Sequence, residues 1–179
     1  GTTSSDIINA GAGDDVVYAG DGNDKVSGGN GDDEIYGGAG SDNLDGGTGS
    51  DLLDGGSGSD TVNAGAGNDT LVYVLSENTI IGAGGTTYYA DRYQGGSGVD
   101  TIRLVLTTEE WANNAALRAD VIAYQNFINA RAAQGEIGQQ FTLASINLTL
   151  QQLETLQVIV NGHVIDVLGA DAPDLDVAP

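Results

Sequence analysis

Gly37-Gly38-Ala39-Gly40-Ser41-Asp42-Asn43-Leu44-Asp45 runs directly into Gly46-Gly47-Thr48-Gly49-Ser50-Asp51-Leu52-Leu53-Asp54, so the chain has a nine-residue unit. Outward from this pair, Asp6, Asp15, Asp24, Asp33, Asp42, Asp51, Asp60 and Asp69 recur at every ninth position. An apolar residue stands two places after each: Ile8, Val17, Val26, Ile35, Leu44, Leu53, Val62 and Leu71. In extended chain, residues two apart share a face. The intervening Val16, Lys25, Glu34, Asn43, Leu52, Thr61 and Thr70 therefore point the other way. Each unit reads as a three-residue strand, from the aspartate onward, followed by a tight glycine turn.

One short strand with one apolar side chain cannot stand alone. Stacked copies bury those side chains as a continuous column, which is the logic of a solenoid. Two turns per coil return the chain to its start every eighteenth residue. The expected fold is an all-β solenoid, a parallel β-roll of two facing sheets, with a C-terminal α+β cap of one helix and short strands or a hairpin.

The charge is as uneven as the pattern. The 179 residues carry a formal net charge of -21, and residues 1–72 hold 14 of the 26 acidic groups against Lys25 alone, a local balance of -13. Nucleic-acid binding needs clustered basic residues, so that partner is excluded, as is an anionic membrane surface. Acidic, glycine-rich chains are commonly disordered, but the strict period argues against that here. The partners that suit so many carboxylates are cations. With no cysteine, disulfides and thiolate zinc sites are excluded. No apolar run is long enough to span a bilayer, and no basic-then-apolar leader occurs. A start at Gly1 rather than Met is read as a segment of a longer protein.

The pattern Gly-Gly-x-Gly-x-Asp-x-(apolar)-x resembles the repeat-in-toxin (RTX) family of secreted bacterial proteins, over about half the chain. It departs from the family at Ala10, Ala19 and Ala64, where alanine replaces the first glycine, and those loops are expected to bind less well. The resemblance implies calcium held between loops one coil apart, bridged by the loop-ending aspartates. Calcium takes six to eight hard oxygens, which carboxylates and peptide carbonyls supply. The implied ligands are Asp6, Asp15, Asp24, Asp33, Asp42, Asp51, Asp60, Asp69 and Asp100, with backbone oxygens from the loop glycines. These are Gly11, Gly13, Gly20, Gly22, Gly29, Gly31, Gly38, Gly40, Gly47, Gly49, Gly56, Gly58, Gly65 and Gly67. Loops ending at Asp15, Asp33, Asp51 and Asp69 would make three sites on one edge, and those ending at Asp24, Asp42 and Asp60 two on the other. Asp6 would add one, giving five or six Ca²⁺ in the first array and one more near Asp100. Asp14 and Asp32, each just before a ligand aspartate, either assist it or are solvated charges, and Asp91 is a weaker ligand because no glycine lies between Thr86 and Tyr89. A single loop of this kind is an ordinary aspartate turn; eight in phase are not.

Four regions are expected: the roll over 1–75, an insertion and late coil over 76–106, a helix-and-hairpin cap over 107–170, and a linker over 171–179. Residues 76–90 break the period before Asp91-Arg92-Tyr93 and Gly95-Gly96-Ser97-Gly98-Val99-Asp100-Thr101-Ile102 restore it, 31 residues beyond Asp69 and out of phase with the first array. Thr107-Thr108-Glu109-Glu110 has capping-box spacing. Leu117, Val121, Tyr124 and Ile128 then follow at helical spacing, with Gly135 as the stop. Alternation at Ile146, Leu148 and Leu150, and at Leu156, Val158 and Val160, predicts strands. Asn161-Gly162 predicts a hairpin turn before His163–Leu168.

Enzyme motifs are absent. His163, the only histidine, has no triad or metal-ligand companion in sequence, and neither Gly-x-Ser-x-Gly nor His-Glu-x-x-His occurs. Ice binding would need one repeated loop residue, but the third loop position reads Ala12, Asp21, Asn30, Ala39, Thr48, Ser57, Ala66. The expectation is a non-enzymatic, calcium-dependent module of a large type I-secreted adhesin, extracellular or on the bacterial surface, contacting neighbouring domains of its parent. The tail Ala170–Pro179 resembles the lead-in to Ig- or cadherin-like repeats of such adhesins. The alternatives are an accessory domain of a secreted protease, lipase or polysaccharide-modifying enzyme, or a module binding a glycan or other surface ligand. In that last case the contacts would come from residues 76–90, with Tyr88 and Tyr89, or from the cap.

Overall fold

The structure, a computed structural model, describes residues 1–82, 85–132 and 140–167. The expected helix stop at Gly135, the end of the last strand at Leu168 and the linker-like tail lie outside the described residues.

Eight strands open the chain, one per nonapeptide: β1 (Ile7–Ala12), β2 (Val16–Asp21), β3 (Lys25–Asn30), β4 (Glu34–Ala39), β5 (Asn43–Thr48), β6 (Leu52–Ser57), β7 (Thr61–Ala66) and β8 (Thr70–Val74). Odd and even strands form separate parallel sheets, with partners eighteen residues apart, as in Val26↔Leu44 and Ile35↔Leu53. This is the parallel β-roll that the period predicts. The strands are longer than expected. They begin one residue after the aspartate and run for six residues, the last three inside the glycine loop, as in β5. The reason is that the loop glycines pair in register, as Gly29↔Gly47 does. At Gly47 a side chain would collide with the Gly29 carbonyl, and its φ of 108° favours glycine in any case.

The rung residues Val26, Ile35, Leu44, Leu53, Val62 and Leu71 are buried between the sheets, and the predicted outward residues face solvent or lie half-buried. Identical rungs also stack outside: the rings of Tyr18 and Tyr36 lie 4.8 Å apart and nearly parallel, at the spacing of adjacent strands.

The late coil is not out of phase. After β8 the chain makes a hairpin, β9 (Thr79–Gly82) and β10 (Gly85–Tyr88), and then returns as β11 (Asp91–Ser97) and β12 (Thr101–Leu106). β11 pairs with β7 and β12 with β8, so the thirteen extra residues are looped out and the register resumes. Asn78, 1% exposed, holds the root of this excursion by donating Nδ2–H to the Val74 carbonyl and accepting the Tyr89 amide on its own carbonyl.

Two helices follow where one was expected: α1 (Thr108–Asn113) and α2 (Ala115–Ala132). The capping box forms, with the Glu110 amide donating to Thr107 Oγ1 at 3.2 Å and the Thr107 amide to Glu110 Oε2 at 2.7 Å. The break falls at Asn114, whose Oδ1 accepts the Leu117 amide and restarts the helix. Leu117, Val121, Tyr124 and Ile128 are the buried face of α2, and Trp111 is core. Tyr124, Phe127 and Phe141 form an aromatic cluster with centroids 5.1 to 6.2 Å apart.

The remaining strands are β13 (Gln140–Leu143), β14 (Leu148–Gln151), β15 (Thr155–Val160) and β16 (His163–Ile165), with a 3-10 turn at Ala144–Ile146 between the first two. β14 adds in parallel to β11 and β15 to β12, making a sixth coil without any glycine motif. β13 and β16 then close the two sheets antiparallel. Asn161 and Gly162 both have positive φ, the turn their sequence predicts. The end is therefore closed by further coil and antiparallel edge strands as well as by helix.

A chain ending at residue 106 would leave β11 and β12 as bare edges. It is expected to need a higher calcium concentration to gain β-structure than the full chain, measured by circular dichroism titration. An unchanged midpoint would show that the first five coils do not depend on this cover.

Candidate metal centre

Each loop ends on an aspartate whose carboxylate is turned inward, between coils. Asp24, Asp33, Asp42, Asp51, Asp60, Asp69, Asp91 and Asp100 are buried, whereas Asp6 and Asp15, in the terminal coil, are half-buried. One carboxylate oxygen of each bridges to the coil before it. The amide of Asp24 donates to Asp42 Oδ1 at 2.7 Å, and that of Asp42 to Asp60 Oδ1 at 2.9 Å. The amide of Asp33 donates to Asp51 Oδ1, and that of Asp51 to Asp69 Oδ1. Asp6 and Asp15 donate likewise to Asp24 and Asp33. Across the looped-out segment the ladder continues: Asp60 donates to Asp91 Oδ1 at 2.7 Å and Asp69 to Asp100 Oδ1 at 2.9 Å.

The second oxygen has no partner. Oδ2 of Asp15, Asp24, Asp33, Asp42, Asp51, Asp60, Asp69, Asp91 and Asp100 is buried without a hydrogen bond. An unsatisfied buried carboxylate oxygen is costly, and here it recurs in each of the first five coils. A methyl group built on Gly46, the first loop glycine, would lie 2.5 Å from Asp51 Oδ2 and 2.5 Å from the Ala64 carbonyl oxygen of the next coil. At Gly37 the same point lies 2.6 Å from Asp42 Oδ2 and 2.5 Å from the Gly55 carbonyl oxygen. A carboxylate and a peptide oxygen thus converge at each glycine, the hard donor set that suits calcium. Among the described residues no three acidic, histidine or cysteine side chains converge. An ion here would therefore draw most of its shell from the backbone.

The second and fourth loop glycines, from Gly11 and Gly13 to Gly65 and Gly67, all have positive φ, between 83° and 146°. First-position carbonyls, such as those of Gly55 and Ala64, are additional oxygens that the motif alone does not single out. Of the alanines at that position, Ala19 and Ala64 are fully buried, in register with the glycines that line the convergence point, and Ala10, in the terminal coil, is half-buried.

Two further features escape the nonapeptide pattern. Glu154 follows Asp100 in the ladder, accepting its amide on Oε2 at 2.8 Å, and the Gln152 carbonyl converges with Asp100 Oδ2 at Gly95. The fifth loop position forms a second ladder in the opposite sense. The Asp32 amide donates to Asp14 Oδ1, Ser50 to Asp32 Oδ1, Ser41 to Asn23 Oδ1 and Val99 to Asn68 Oδ1. Asp14 and Asp32 are thus bonded to neighbouring backbone. The signal was present in the small oxygen-bearing residues at that position: Ser5, Asp14, Asn23, Asp32, Ser41, Ser50, Ser59 and Asn68.

Burial raises the carboxyl pKa from Asp42 onward. Asp60 is pushed up to about 7, and Asp69 and Asp91 to about 6, chiefly by desolvation, with neighbouring carboxylates adding to it at Asp60 and Asp69. Asp42, Asp51 and Asp100 shift the same way for the same first cause.

The family model for RTX calcium-binding nonapeptide repeats, a unit of four copies, matches residues 1–35 and again residues 36–71. Residues 1–71 are RTX repeats. RTX repeats bind Ca²⁺, and they are found in secreted bacterial proteins. No curated protein and no solved structure matches this chain. No helix among its described residues is long and apolar enough to cross a membrane.

Two outcomes follow for the RTX column. Gly37→Ala places a methyl between Asp42 Oδ2 and the Gly55 carbonyl, and is expected to weaken calcium-induced folding, whereas Ala64→Gly should strengthen it. Calorimetric calcium titration reads both, and equal affinities would remove the convergence point from the site. The pH dependence has two signs. Carboxyl pKa values raised above the unfolded 3.8 mean that the metal-free native state binds more protons than the unfolded chain. In chelator, stability should therefore rise as pH falls from about 7.5 toward 4. With calcium present, protons compete for the same oxygens, so the calcium midpoint should move up on acidification. Urea unfolding with and without chelator checks the pair.

Proposed function

We propose that this chain is a calcium-dependent structural module of a large secreted or cell-surface protein, folding outside the cell when it meets calcium. The observation that carries the reading is the row of buried, unpartnered Asp Oδ2 atoms in successive coils. Without cations the column crowds like charges in a desolvated interior, and the metal-free roll is destabilised at neutral pH. Ions that bind only the folded roll stabilise it by mass action. Affinities of about 10⁻⁴ to 10⁻³ M per site, the range of extracellular modules, would keep the chain unfolded inside a cell and folded outside it.

Ligands would come from Asp15, Asp33, Asp51 and Asp69 on one edge and Asp24, Asp42 and Asp60 on the other, with Asp6 at the terminal coil. Loop carbonyls would complete each shell. Five or six ions fit this first array. The loop ending at Asp100 stacks on the loop ending at Asp69, which supports one more. The parent is read as an adhesin, on the resemblance of the Asp171-Ala172-Pro173 tail, rather than as an enzyme with an RTX accessory domain.

A second reading has one observation in its favour. A cavity of about 500 Å³ lies between the β9–β10 hairpin and α1, lined by Thr79, Thr86, Tyr88, Glu109, Asn113 and Asn114 among others. Hydroxyls, amides and a tyrosine suit a neutral polyhydroxylated ligand, so the insertion and the cap together would form a glycan site.

The module reading predicts little regular structure in chelator at neutral pH and a cooperative gain of β-structure on adding calcium. Identical circular dichroism spectra with and without calcium would refute it. Binding of the isolated chain on a glycan array, lost in Tyr88→Ala, would establish the second reading.

A further inference from the structure

The edge carrying Asp24, Asp42 and Asp60 changes character at its last repeat. At Gly37 the two converging oxygens are Asp42 Oδ2 and a first-position carbonyl. At Gly55 the corresponding point lies 2.7 Å from Asp60 Oδ2, but the second oxygen, at 2.8 Å, is the phenol of Tyr93. The substitution has a topological cause. Leu53 and Asp54 pair with Leu71 and Val72, so the next residue in register with Gly55 is Tyr73, which opens no glycine loop. The chain leaves there for the hairpin and returns at Asp91, whose Oδ1 accepts the Asp60 amide. Tyr93, the rung residue of that returning strand, faces Val62 on one side and Leu150 on the other.

Asp60, Asp91 and Tyr93 are 1%, 2% and 0% exposed; Asp60 Oδ2 and Asp91 Oδ2 lack a hydrogen-bond partner, and Tyr93 Oη lies against the Gly55 backbone without a hydrogen bond of normal geometry. A buried tyrosine hydroxyl ordinarily finds one. This one is held in place by edge-to-face packing on Tyr73, with centroids 5.9 Å apart. Asp60 Oδ2 and Tyr93 Oη thus converge on one point beside Gly55, and calcium gathers such oxygens at about 2.3–2.6 Å.

We infer that Asp60, Asp91 and Tyr93 form a calcium site in which a phenol oxygen takes the place of a loop carbonyl. Two carboxylates match the charge of one divalent cation, and a neutral phenol oxygen does what a peptide oxygen does in the repeats. The site fastens the return of the 76–90 insertion to the roll, at the place where the nonapeptide pattern fails. It rests on the reading of the chain as a calcium-dependent module, and it lies where the glycine motif predicts no second loop.

The test counts bound calcium per full-length chain, by calorimetry and by metal analysis after equilibrium dialysis, in the wild type, Tyr93→Phe, Asp91→Asn and Tyr73→Phe. Tyr93→Phe keeps the packing and removes only the unpartnered oxygen, so it should fold in excess calcium yet bind one ion fewer, or bind one ion at least tenfold more weakly. Asp91→Asn should lose the same ion, and Tyr73→Phe should keep the wild-type count. In chelator, Tyr93→Phe should be no less stable than the wild type, because a buried unpaired hydroxyl has been deleted. Unchanged stoichiometry and affinities in Tyr93→Phe would overturn the site. If Tyr93→Phe fails to fold, an unchanged count in folded Asp91→Asn overturns it equally. A wild type that binds no calcium at all would refute the module reading itself, a result distinct from either.

Discussion

The structure depends on what happens to one carboxylate between two coils. Its first oxygen accepts the amide of the loop-ending aspartate in the coil before, which fixes the spacing and register of the stack. Its second oxygen is withdrawn from water and left without a donor. A neutral side chain of the same shape would supply the first bond without the second problem. The charged one makes the stack conditional. A buried leucine rung contributes about 1.5–3 kcal/mol, which is small against ordering a nine-residue unit rich in glycine. Neither the rung nor the ladder of hydrogen bonds relieves the repulsion along the column. Only positive charge placed among those oxygens does.

The two ladders in each loop explain why the fifth and sixth positions are both polar. The sixth-position carboxylate reaches one way along the stack, and the fifth-position oxygen reaches the other, as Asp33 and Asp32 do with Asp15 and Ser50. Each loop is thus clasped from both sides without using Asp Oδ2. That leaves a uniform set of free oxygens facing the glycines, whose missing side chains are the space in which a carboxylate and a carbonyl meet. Glycine at the first loop position therefore matters for room rather than for backbone conformation, since none of Gly28, Gly37, Gly46 and Gly55 has positive φ.

The roll was legible in the sequence because its information is periodic. Asp every ninth residue and an apolar rung two places on fix strand direction, face and coil length without knowledge of any distant contact. The helix face, the capping box and the Asn161-Gly162 turn were legible because they are local. What the sequence hid is what depends on closing a long excursion. The 31-residue step from Asp60 to Asp91 looks like a lost phase until the hairpin is seen to return its ends to neighbouring coils. Glu154 could not be recognised as the next rung of the ladder, because its coil has no glycine and its side chain is one methylene longer. Tyr93 occupies an apolar position and reads as core, which it is; its hydroxyl becomes notable only beside Gly55.

Apolar burial is distributed unevenly along the stack, and this sets where calcium matters most. In the repeats each strand buries one large rung, followed two places on by glycine or alanine, as in Leu44 with Gly46 and Val62 with Ala64. From β8 onward, except in β11 where Gly95 follows Tyr93, the second inward position is large as well: Leu71 with Tyr73, Ile102 with Leu104 and Leu106, Leu148 with Leu150, and Val158 with Val160. The aromatic cluster under α2 adds to the same end. In a nearest-neighbour solenoid, stability is local to each coil and its interfaces. The C-terminal coils therefore carry their own hydrophobic core, while the N-terminal coils, with small residues inside and carboxylates at both edges, depend on ions. Asp60, Asp91 and Tyr93 sit at the junction between these two regimes, where a carboxylate column meets a core wide enough to hold a tyrosine.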